Sequence, residues 1–154
     1  ITLTVGNQTF VLWSSPGHSP DSIACLVKDV NVLFASDTVM PIPYFVEGKF
    51  DDFVRSLERL KDQTFENIIQ GHGEVVLRGE VTSKVVSDLE YLSKLQEAVA
   101  KALSKNVENI EDHVSIEDCG KSHILLNGTV KKLHRQNVIT LVKQRQKEAL
   151  LQAE

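Results

Sequence analysis

The sequence is poor in sulfur and has no long apolar run. Its two cysteines, Cys25 and Cys119, are far apart and lie outside any Cys-x-x-Cys spacing. This fits two reduced thiols in a cytoplasmic protein rather than a disulfide framework. No apolar run approaches membrane-spanning length, so no transmembrane helix is expected. No basic start followed by an apolar core marks a signal peptide. Internal repeats and low-complexity tracts are also absent. The formal charge of −4 argues against non-specific nucleic-acid binding by the whole surface, but not against a local basic patch. There is no initiator methionine. The chain opens at Ile1 inside an apparent strand, which suggests a processed chain, an excised piece or a fragment.

What is present is an ordinary globular composition. The 154 residues are 42% hydrophobic and 25% charged, which suits one domain or part of one. "ITLTV" and "TFVLW" alternate around "GNQ" and predict a β-hairpin. "IACLV" and "VNVLFA" predict two further short strands, and "SDTVMPIPYF" a loop broken by Pro41 and Pro43. From Phe50 the period changes. Phe50, Phe53, Val54, Leu57 and Leu60 share a helical face. A short strand follows at Ile68 and Ile69, then a long amphipathic helix from Val81 to Leu103. Ser115 and Gly120 suggest a one- or two-turn helix in an otherwise irregular stretch. A closing helix is predicted from about Val130 to Leu151. Strands first, then one strand among helices, imply an α/β or α+β layered domain. We expect residues 1–80 to form the sheet-bearing part and 81–154 a helical region packed on it.

Three polar residues share one placement. His18 follows the strand ending near Trp13, Asp37 the strand ending near Ala35, and His72 the strand ending near Ile69. Each stands in a loop tightened by glycine, proline or serine, and a sheet can bring such strand ends to one rim. Two imidazoles and a carboxylate are a ligand set for zinc or another first-row metal. Gly17, Gly71 and Gly73 let backbone pass close by. Taken singly, each histidine is better read as a solvated or hydrogen-bonded loop residue, and the aspartate as a turn former or cap. The repeated placement raises the metal reading to an equal alternative, and spacing alone goes no further.

As a set, "SSPGHSPDSIACLV", "VLFASDTV" and "IIQGHGEV" resemble, in order, the last three metal-binding motifs of the metallo-β-lactamase superfamily. "QGHG" stands where "PGHG" is commoner. The resemblance covers roughly residues 1–80. It implies part of a four-layer αββα sandwich with a helical carboxy-terminal extension, the metals lying at one edge of the two sheets. It implies His18 as a ligand of the first metal, Asp37 as a bridge between two metals and His72 as a ligand of the second. No catalytic residue beyond these ligands is implied. The expected cofactor is zinc, two ions per complete site, with manganese or iron as alternatives. The expected reaction is hydrolysis of an ester, thioester, lactone or amide in a small-molecule substrate. The nucleophile would be a hydroxide formed because a metal lowers the pKa of its water to about 7.

The superfamily's HxHxDH motif is absent. The five histidines sit in "GHS", "GHG", "DHV", "SHI" and "LHR", and no two are separated by a single residue. The chain therefore resembles the carboxy-terminal half of the fold. Its own site is expected to be incomplete, binding a single metal weakly or none. The expected partner is the missing amino-terminal half or a second copy of the chain, since an uncovered sheet invites association. A non-catalytic half-fold and a nuclease of the same superfamily are the alternative readings.

The remaining features read plainly. Ser19 and Ser22 support their loop by hydrogen bonds. His113 and His123 are surface residues, and His134 is a partly buried structural histidine. Lys131, Lys132, Arg135, Lys143, Arg145 and Lys147 form a solvated helix face. No interleaved aromatic residue is there to stack bases, so nucleic acid is not an expected partner. The sequons at Asn7 and Asn127 are read as chance matches.

Overall fold

The computed structural model describes residues 1–152. Six strands, β1 (Thr2–Val5), β2 (Gln8–Ser14), β3 (Ile23–Val27), β4 (Val32–Ser36), β5 (Asn67–Gln70) and β6 (Val76–Leu77), form one sheet in sequence order. Neighbours are antiparallel except β4 and β5, which are parallel and joined by helix α1 (Phe50–Lys61). Parallel neighbours need such a crossover. Two long helices follow, α2 (Val81–Ser104) and α3 (Val130–Gln152).

The period-two pattern gives the sheet one covered face. Ala24, Leu33, Ala35, Ile68 and Val76 point into a buried cluster that also holds Phe50, Phe53, Leu57 and Leu60 of α1. Asp51 and Asp52 in the first turn of α1, with Arg59 and Lys61 in the last, complement its dipole. The same cluster contains Val85, Tyr91, Leu92 and Leu95 of α2 and Val130, Val138 and Leu141 of α3. The sheet and the helices thus share one core.

The opposite sheet face is open. Phe34 is 48% exposed, Ile23 53% and Leu77 57%. Phe34 pairs across to Cys25, and Cys25 to Leu12, in one row on that face.

Two local differences from the sequence reading have simple causes. The stretch after Ser115 is a hydrogen-bonded turn, not a helix. Ser115 Oγ does cap the Asp118 N–H at 3.1 Å, but Gly120 at φ +82° ends the turn before a helix can propagate. Short 3-10 turns stand instead at Ile110–Asp112 and Leu125–Gly128. Strand β6, at two residues, is too short to show a period. Among the described residues no helix is long and apolar enough to cross a membrane.

Candidate metal centre

The sheet order explains why the three sequence positions meet. β3 runs antiparallel to β4, so the loop entering β3 lies at the rim where β4 ends. β5 runs parallel to β4 and ends at that same rim.

Each loop is fixed by its own chemistry. In the loop 15–22, the Ser15 N–H donates to the Ser22 carbonyl at 2.8 Å, and the Ser19 and Ser22 hydroxyls lie 2.8 Å apart. Gly17 has φ +147°, and a Cβ there would stand 2.5 Å from Phe53 Cα, so the loop can press on α1 only as glycine. Ser56 of α1 donates to the Pro16 carbonyl at 2.6 Å. Buried Thr38 donates to Ser15 Oγ at 2.9 Å, tying the His18 loop to the residue after Asp37. Ser36 holds φ +49°, an uncommon value for a non-glycine residue, just before Asp37. The Gly71 N–H donates to the Ser36 carbonyl at 2.8 Å, locking the His72 loop beside it.

The Asp37 carboxylate stands between the two imidazoles. His18 Nε2 is 3.5 Å from Oδ2, and His72 Nε2 is 3.6 Å from Oδ1. His18 is also oriented from behind: its Nδ1 is 2.8 Å from the Tyr44 carbonyl oxygen. A carbonyl can only accept, so Nδ1 carries the proton and, in the neutral ring, Nε2 carries a lone pair aimed at the carboxylate. In that neutral form two electron-rich atoms face each other with no hydrogen between them. A cation supplies what that arrangement lacks. Ligands about 2.0–2.2 Å from one tetrahedral ion stand about 3.3–3.5 Å apart, close to both separations. The donor set fits part of a metal site, with each carboxylate oxygen turned to a different imidazole. Among the described residues no group of three or more His, Cys, Asp or Glu side chains is arranged to hold an ion unaided.

A cavity of about 740 Å3 adjoins this rim. It is bounded by Gln70 and Gly73 on one side and by Lys84, Lys121, Leu125 and Leu126 on the other. Behind the two lysines, fully buried Asp88 of α2 accepts from Lys84 and, at 2.8 Å, from Lys121. Lys84 also donates to the Met40 carbonyl. Burial lowers the Lys84 pKa, and Asp88 opposes that shift.

No family model matches the chain. A Caenorhabditis elegans protein described as a beta-lactamase-like protein 2 homolog is 27% identical over 106 residues, covering 69% of this chain and 35% of that protein. A metallo-beta-lactamase family protein from Thermus thermophilus superposes with a TM-score of 0.68 at 16% identity, covering 97% of this chain and 48% of that one. The sec-alkyl sulfatase PisA1 superposes with a TM-score of 0.66 at 16% identity, covering 94% of this chain and 25% of its own. The chain has the carboxy-terminal half of the metallo-β-lactamase fold. It spans less than half the length of the relatives it matches.

On this half of the metallo-β-lactamase fold, His18, Asp37 and His72 come together. His113 and His123 stay at the surface, the latter beside Glu117. His134 is buried, at 4% exposure, and burial lowers its pKa. Both cysteines are free, and burial pushes the Cys119 thiol up to about 11. Sequence reasoning missed the Tyr44 carbonyl and the α3 residues that hold it. One signal was available: His134 and Asn137 interrupt the apolar stripe formed by Val130, Val138 and Leu141.

Proposed function

We propose that this chain supplies the carboxy-terminal half of the site of a metal-dependent hydrolase. The single observation that carries this is the Asp37 carboxylate held between His18 and His72. The carboxylate would span two ions, with one imidazole on each. When bound, the metals supply an acidified water able to act as a nucleophile at neutral pH. The chain's own residues do the rest. The Tyr44 carbonyl keeps His18 Nε2 free of its proton. Gly71 leaves room for the carboxylate. The adjoining cavity, with apolar Leu125 and Leu126 in its wall, offers space for a small substrate. The substrate class is a small ester, thioester, lactone or amide, and zinc is the proposed metal. The beta-lactamase-like and sulfatase descriptions of similar proteins support a hydrolase.

The ligands not found here would come from a segment bearing the HxHxDH histidines. That segment would cover the open sheet face around Phe34, Ile23 and Leu77, where a second sheet would bury exposed apolar surface.

The test is hydrolysis of model ester, thioester and phosphodiester substrates by the protein in its purified assembly, with zinc or manganese added. Activity lost in a folded His72→Ala variant supports the reading. Phosphodiester cleavage alone would make the protein a nuclease. No hydrolysis, together with no thermal shift on adding metal, would make it a non-catalytic module.

A further inference from the structure

We propose that Asn137 of α3 is a positioning residue for His18, acting through the backbone carbonyl of Tyr44. The relevance to catalysis rests on reading His18 as a metal ligand; the ring orientation itself does not.

Asn137 is fully buried, and its one carboxamide grips the chain on both sides of Tyr44. Its Nδ2 donates to the Pro43 carbonyl at 2.6 Å, and the Phe45 N–H donates to its Oδ1 at 3.3 Å. These partners fix which end of the amide is which, because a carbonyl only accepts and a backbone N–H only donates. Between the two gripped peptides, the Tyr44 carbonyl points at His18 Nδ1, 2.8 Å away.

Asn137 is itself held. Its Nδ2 also donates to the Tyr91 hydroxyl at 3.1 Å. His134 Nε2 donates to the Val114 carbonyl at 2.9 Å, so its Nδ1 accepts from Tyr91 at 3.0 Å. The chain of bonds runs from Val114 through His134, Tyr91 and Asn137 to the loop behind His18. A satisfied buried network of this kind fixes one geometry.

The grip matters because His18 has two competing acceptors. A proton on Nε2 would be drawn to the Asp37 carboxylate, and a charged acceptor is the stronger one. A proton on Nδ1 is drawn to the Tyr44 carbonyl. Only a carbonyl held at hydrogen-bond distance keeps the proton on Nδ1 and leaves Nε2 able to bind a metal. If the loop slackens, the proton moves to Nε2, His18 bonds to Asp37 Oδ2, and those two atoms are withdrawn as ligands while Oδ1 still faces His72. Tyr44 has a separate tether, its hydroxyl donating to Gln136 Oε1 at 2.8 Å, which holds the ring and not the carbonyl.

The experiment reads the His18 tautomer by long-range proton–nitrogen correlation in the metal-free, histidine-labelled chain, above the imidazole titration range. It is paired with zinc binding by calorimetry. The wild type should show the Nδ1–H form. Asn137→Ala should show a mixture with the Nε2–H form and bind zinc about 10- to 100-fold more weakly. Gln136→Ala and Val138→Ala should keep the wild-type tautomer, although Val138→Ala lowers thermal stability. An Nε2–H form in the wild type, or an equal shift in Val138→Ala, overturns the proposal. If Asn137→Ala does not fold, the wild type decides: an Nδ1–H ring with a slowly exchanging Phe45 amide supports the grip, and a rapidly exchanging one overturns it. A tautomer shift in Asn137→Ala without zinc binding by the wild type would refute the metal reading and leave the positioning role standing.

Discussion

Gly71 abuts the Asp37 carboxylate so closely that a Cβ at position 71 would lie 1.9 Å from Oδ1 and 2.9 Å from Cγ. The glycine before His72 therefore serves its neighbour across the sheet rather than its own turn. Gly71→Ala must push the carboxylate away from His72 or move the loop. We expect a folded protein whose zinc affinity falls about 10- to 100-fold, read by calorimetry. Unchanged affinity would mean that Asp37 is not held where the metal reading needs it.

Asp88 carries two ammonium groups, Lys84 and Lys121, at the wall of the cavity. Removing one partner from a buried charged set leaves uncompensated charge and typically costs about 3–5 kcal/mol. Asp88→Ala should lose stability on that scale in urea unfolding. Restoring neutrality with Lys84→Met and Lys121→Met in the same chain should recover most of it.

His134 sets a pH dependence whose sign follows from burial. Its folded pKa lies below the ordinary histidine value, chiefly because burial disfavours the charged ring. Above about pH 6.5 both the folded and unfolded forms are neutral at this residue. Below that, the unfolded chain takes up the proton first, so stability falls with pH until the folded pKa is reached. This one group contributes a slope of up to about 1.4 kcal/mol per pH unit. His134→Gln, which can still donate to Val114 and accept from Tyr91, should flatten stability in that window, read by urea midpoints across pH.

The open sheet face predicts association. At micromolar concentration the isolated chain should sediment as more than a monomer, and Phe34→Glu as a monomer. Phe34 is not part of the core, so Phe34→Glu should unfold cooperatively with a midpoint independent of protein concentration, whereas the wild-type midpoint should rise with concentration. A stable, well-folded wild-type monomer would contradict the reading of this face as an interface.

Much of this was legible in the sequence, for local reasons. β1 and β2 show themselves by alternation, β3 and β4 as short apolar runs, and α1 to α3 by helical spacing. The repeated placement of His18, Asp37 and His72 after strands marks one rim, because strand ends are punctuated by glycine and proline. What was illegible is long-range. The Tyr44 carbonyl has no sequence signature, since any residue carries one. Asn137 is separated from Phe45 by 92 residues, so only packing shows that it holds the loop. The Asp88 pair of lysines reads as an ordinary helix-surface charge until Lys121 folds over it. β6 and the turn at 115–120 fall below the length at which periodicity carries information.

The central claim is that His18, Asp37 and His72 form half of one metal site, and manganese titration of the labelled chain tests it most directly. We expect paramagnetic broadening centred on these three residues, at weak affinity, and lost in Asp37→Ala. Broadening centred elsewhere, for example on the exposed His123–Glu117 pair, or no broadening at saturating manganese, would contradict it.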